Sequence, residues 1–178
     1  AGAHFKAGGL HQLFFGGTYR DLWIMPIWVP VLQLGTFEGG LTPTKISGGM
    51  QTKSLKFSTP DGDEYVFRSV DKDGAFLPLS LRGVPVARRI ARDQVSSSHP
   101  ASNEMVVPLL DAAGVRHDSP SLVAMPNDAR LGTFRQEFAR RLGGISLVPG
   151  VAGDDPPWGA GRRDIIDSDT LLRLLDRD

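Results

Sequence analysis

The residues best suited to chemistry lie in "ISGGMQTKSLKF", from Ile46, and in the "EYVFRSVDKD" that follows it, ending at Asp73. A glycine turn at Gly48 and Gly49 leaves backbone N–H groups able to cover phosphates. A cation on a following strand, Arg68 or Lys72, would then hold those phosphates. The same pattern suits a plain hairpin, because glycine turns before hairpins are common.

Other chemistries find less support. His4, His11, His99 and His117 are scattered, with no His-Glu-x-x-His pattern. His4 and His11 stand two helical turns apart, but intervening glycines weaken that geometry, so ordinary or capping roles are expected. "SSSHP", Ser96 to Pro100, places serines beside a histidine without a nucleophile elbow, and helix-end capping fits it better. No dinucleotide fingerprint or Walker loop occurs. The acidic tail, Asp164, Asp167, Asp169, Asp176 and Asp178, lacks calcium-loop spacing and suits capping and solvation. No motif calls for a cofactor.

These groups need elements to position them. "QTKSLKFS" alternates polar and apolar residues, "EYVFRSV" is rich in β-formers, and the Pro-Asp-Gly of "TPDGDE" turns one into the other. Residues 26–34, "PIWVPVLQL", read as a strand, with Pro30 arguing for an edge or bulged position. Residues 84–98 read as an amphipathic helix with Val86, Ile90 and Val95 inward. A second helix is expected over Asn103–Ala113, capped by Ser102 or Asn103 and stopped by Gly114. "SLVAMP" is a short buried strand. "DARLGTFRQEFARRLGG" reads as a helix with Phe134, Phe138 and Leu142 on one face. A last helix, "DSDTLLRLLDRD", is capped by Asp167 or Ser168 and carries Leu171, Leu172, Leu174 and Leu175, an apolar face that needs covering. "GGLHQLFFGG" is too short and glycine-bounded to count as a helix. The fold class is therefore α+β: an antiparallel sheet and hairpin with flanking helices, rich in loops. Its divisions are an N-terminal extension (1–18), an α+β domain (19–145), a Gly/Pro-rich connector (146–164) and a C-terminal helix (165–178).

With 178 residues the chain can bury a substantial core, and its 21 glycines and 13 prolines fit a loop-rich fold. Twenty basic and twenty acidic residues cancel, so no long-range field draws it to nucleic acid or anionic lipid. The absence of cysteine excludes disulfides, thiol catalysis and cysteine-held metals. No apolar run reaches the roughly 18 to 20 residues a membrane-spanning helix needs. The opening "AGAHF" has no initiator methionine, which fits signal-peptide removal, a lost anchor segment or a trimmed chain. An exported, periplasmic location is the expectation.

Taken in order, "YRDLW", "VPVL", "GGLTP", "GGMQTKSL", "YVFRSVDKD", "DQVSSSHP", "VVPLLDAAGV" and "RLGTFRQEFA" resemble an uncharacterised, often exported bacterial family. Its full-length members look like atypical kinases of the spore-coat and toxin type. The resemblance runs over roughly residues 19 to 175. It implies a kinase small lobe, with Gly48 and Gly49 in the phosphate-covering loop and Lys53, Arg68 and Lys72 at basic strand positions. It also implies that the catalytic loop and metal-binding aspartate would follow Asp178. A lobe lacking those groups should not transfer phosphate.

One stretch departs from that resemblance. "YRDLWIMPIWVPVL" holds two tryptophans, a methionine, two prolines and six aliphatic residues, with charge only on Arg20 and Asp21. Family members tend toward small polar and basic residues where this chain has Ile24, Met25 and Trp28. Trp23, Ile24, Met25 and Trp28 are therefore the candidate partner-contacting residues, with some side chains entering the core and Trp28 and Met25 meeting a partner. The favoured function is a non-catalytic docking subunit of a larger extracytoplasmic or membrane-peripheral protein complex, such as an electron-transfer or envelope assembly. The alternatives are the N-terminal lobe of a real ATP-dependent kinase and a free-standing small-molecule or peptide-binding module.

Overall fold

A computed structural model describes residues 2, 5, 6, 8–47, 53–71, 79–81, 83–96, 98–115, 117–148, 172 and 175. Its centre is a mixed α/β arrangement around a five-stranded antiparallel sheet. The strands are β1 (Thr42–Ser47), β2 (Ser54–Ser58), β3 (Glu64–Ser69), β4 (Ser121–Ala124) and β5 (Leu142–Leu147), in the order β1-β2-β3-β5-β4. Helices α1 (Gly9–Phe15) and α2 (Arg20–Ile24) precede the sheet, α3 (Pro85–Ser96) and α4 (Ser102–Ala112) lie between β3 and β4, and the single turn α5 (Arg135–Phe138) precedes β5.

The expected hairpin forms. Gly62 N–H and Thr59 N–H donate to the Thr59 and Asp63 carbonyls at 3.1 and 3.0 Å, and Gly62 takes φ +89°. That turn pairs Leu55 with Phe67 and Phe57 with Tyr65, placing these four side chains on one face. Phe67 in turn pairs with Ile145 of β5. Leu32, Leu34, Met125, Leu131 and Phe138 cover this face, and all are buried. Burial of each such side chain contributes on the order of 1.5–3 kcal/mol, which makes this layer the main source of stability. The opposite face is mostly polar around the buried Val66: Lys56 ion-pairs with Glu64, and Arg68 donates to Ser146 Oγ at 3.3 Å.

The structure corrects several readings. Residues 26–34 are not a strand. Pro26 and Pro30 cannot donate, and only Val31 forms a bridge, parallel to Ala124. The "DARLGTFRQEFARRLGG" helix is broken. Gly132 adopts φ +54°, ψ −129°, so a 3-10 turn over Ala129–Phe134 gives way to α5, which Ala139 ends at ψ 138° just before Arg140 at φ +63°. Leu142 therefore belongs to β5 and not to a helix face.

β5 itself replaces the start of the expected Gly/Pro connector. A Cβ on Gly143 would sit 2.4 Å from Phe67 Cζ and 2.5 Å from the Arg68 carbonyl oxygen. The glycine serves close packing within the sheet, not chain flexibility. β1, not expected as a strand, lies at the edge of the sheet. Gly9–Phe15 is helical despite its glycines.

In α3, Val95 is buried as expected but Ile90 is exposed; the Val86 side chain lies outside the described residues. α4 starts from Ala101, with no side-chain cap from Ser102 or Asn103. Gly114 at φ +64° stops it, and Val115 N–H closes on the Leu110 carbonyl at 2.9 Å. Of the last helix only Leu172 and Leu175 are described, both helical and exposed.

Candidate functional site

α2 is five residues long, and its geometry decides what the apolar stretch does. Arg20 and Trp23, three residues apart, share one helical face and turn inward. Trp23 is 2% exposed and packs on Phe5 at a ring separation of 4.4 Å, with Val95 and Val70 completing a small second core. Its Nε1–H donates to the Ser98 carbonyl at 2.9 Å. Arg20 donates to the Phe5 carbonyl at 2.7 Å and ion-pairs with Asp93 of α3. The placing of Trp23 among partner-contacting residues is thus corrected, because its ring is already desolvated inside this chain.

Beyond α2 the chain leaves this small core and does not reach the main one until Leu32. Between these anchors runs an extended strap. Trp28 is fully exposed, at 104% of its reference area, and Met25 and Ile27 are exposed by 51% and 50%. Ile24 and Val31 are also open. No charged residue occurs between Asp21 and Glu38. Two buried anchors hold out one uncharged apolar strap, a water-exposed surface of the composition that interface centres favour. A second exposed apolar set, Met105, Val106 and Leu109, lies on α4.

The candidate phosphate residues are dispersed differently. Gly48, Gly49 and Lys72 lie outside the described residues. Lys53 is ion-paired to Glu137 at 2.8 Å. Arg68, half-exposed, faces Asp118 at 3.5 Å as well as Ser146. It opens on a cleft of about 250 Å³ that Trp23, His99, Glu104 and Gly144 also line. Lys53 is not part of that lining. Glu104 and Gly144 carry no signal in the sequence that ties them to Arg68; only the return of β5 beside β3 and the start of α4 bring them there.

His99 accepts from Ala101 N–H through Nδ1 at 3.1 Å and meets Tyr19 edge-on at 5.4 Å, while His117 lies 2.8 Å from the Val115 carbonyl. Both therefore have structural partners. Among the described residues no group of three His, Cys, Asp or Glu side chains is placed to hold a metal. Nor is any described helix long and apolar enough to cross a membrane.

Two perturbed groups belong to the scaffold. Burial, then the charges of Glu38 and Asp63, raise the Tyr65 hydroxyl above its usual value. The Arg130 backbone N–H, accepted at 2.8 Å, holds Asp128 below the ordinary carboxylate range. Neither touches the strap or the cleft.

No family model, curated protein or solved structure matches the chain.

Proposed function

We propose that this chain is a non-catalytic docking subunit of a larger protein assembly, extracytoplasmic or peripheral to a membrane. Its strap is the surface that meets the partner. The full exposure of Trp28, held between two buried anchors, carries this reading. Burying that ring against a partner would contribute roughly 2–3 kcal/mol by area, with Met25 and Ile27 adding to it. Such residues at the centre of about 1,600 Å² of buried surface would support a stable complex. The test is gel filtration of extracts from the host with the chain replaced by Trp28→Ala/Met25→Ala. The wild type should elute in a large assembly and the variant near the 19.3 kDa of the chain alone. Both eluting alone, or both assembled, overturns the reading.

A second reading is that of a nucleotide-covering small lobe of an atypical kinase. It is supported by a three-strand meander with Gly48 and Gly49 in its first connection, a β3 cation, Arg68, and an acid, Glu104, at the same cleft on a helix after β3. Against it, Arg68 and Lys53 are already paired with acids of this chain. Calorimetric titration with magnesium-ATP decides: heat that Arg68→Ala removes favours the lobe, and no heat at millimolar nucleotide excludes it.

A further inference from the structure

The geometry points to the strap as the start of a sixth strand whose outer edge takes a strand from the partner protein. This rests on the docking reading and adds how the partner is held. At the strap's C-terminal end Ala124 N–H donates to the Pro30 carbonyl and Leu32 N–H donates to the Ala124 carbonyl, both at 2.9 Å. Pro30 and Leu32 therefore turn their backbone groups toward β4. Backbone direction alternates along an extended chain, so residues of even number face β4 and those of odd number face away.

Both prolines, 26 and 30, are even. Their missing N–H groups fall on the inner side, and the outer side keeps a full set of donors at Ile27, Val29 and Val31. Residues before proline favour extended backbone, which keeps Met25 and Val29 in this register. None of the Ile27, Val29 or Val31 amides donates to another described residue. The Val31 carbonyl accepts only the exposed Gln33 Nε2, at 3.3 Å, and an incoming strand would replace that contact.

The occupant is an extended segment of a partner protein, uncharged like the strap it meets. Main-chain pairing supplies affinity, and the side chains on the two faces, Trp28 among them, supply selectivity. The strap has none of the lysines that guard exposed edges against such pairing, and its prolines sit where they do not block it.

Amide exchange read residue by residue tests this, comparing the assembly purified from the host with the free chain. The amides of Ile27, Val29 and Val31 should slow by more than tenfold in the assembly, and that of Trp28 much less. Val29→Pro, which removes one outer donor, should weaken assembly at least tenfold, while Val29→Thr stays within twofold. An assembly that protects Trp28 yet leaves the three amides at their free rates, or that tolerates Val29→Pro, overturns strand pairing and leaves side-chain docking standing. Binding of the free chain to phosphatidylcholine vesicles without alternating protection would also overturn it, since a bilayer offers no strand. Assembly unaffected by Trp28→Ala/Met25→Ala would instead remove the docking reading itself.

Discussion

The two edges of the sheet are built on opposite principles. At the β1 edge, Pro43 removes a donor, a register shift between Pro43 and Lys45 bends the strand, and Lys45 is exposed. Proline, a bulge and lysine are the devices by which proteins keep an edge from pairing with another chain. At the other edge β4 is only four residues long and is extended by the strap, where Ile27, Trp28 and Val31 are exposed and no charge occurs. One fold carries a guarded edge and an unguarded one. That difference supports the proposed docking surface more than any single residue does.

The largest effect should come from breaking the element that both edges depend on. Gly143→Ala places a methyl group against the Phe67 ring and, less avoidably, the Arg68 carbonyl. A loss of about 3 kcal/mol or more in urea unfolding is expected, since backbone cannot yield as a side-chain tip can. A loss below about 1 kcal/mol would mean the β3–β5 contact is looser than described. Next in size, stripping the guard from the first edge with Pro43→Val/Lys45→Val should make the mass seen by light scattering rise with concentration more steeply than in the wild type. Equal slopes would show that the β1 edge needs no guarding, and the contrast between edges would lose its meaning.

The smallest effect concerns Tyr65, which packs edge-on against Phe37 at 5.3 Å. Its folded pKa lies above the usual 10.0, chiefly through burial. The neutral ring's contribution is fully present below pH 10 and is lost as pH rises through the folded value. Wild-type stability should therefore fall more steeply above pH 10 than that of Tyr65→Phe. Parallel pH profiles would contradict this account.

The parts of the fold legible in the sequence are those where local chemistry and tertiary demand agree. The β2–β3 hairpin was readable because alternation and the Pro-Asp-Gly turn specify the same register. β1 and β5 were not, for a shared reason. Gly143, Gly144 and Pro43 are residues that propensity assigns to turns, and here close packing against Phe67 and Pro120 favours the glycines while an edge position tolerates the proline. Gly132 ended a helix that the spacing of Phe134 and Phe138 had implied. At the candidate site, the exposure of Met25 and Trp28 agrees with the expectation that these two side chains stay out of the core. The inward turn of Trp23 did not, because it depends on Phe5, Val95 and the Ser98 carbonyl, which lie far along the chain. That Arg68 and Glu104 line one cleft was hidden in the same way.

The measurement closest to the central claim is hydroxyl-radical footprinting of the assembly purified from the host and of the free chain. Trp28 and Met25 should be oxidised readily in the free chain and shielded in the assembly, with buried Trp23 slow in both. Equal oxidation of Trp28 and Met25 in the two states would contradict the account, because the partner would then rest on some other surface.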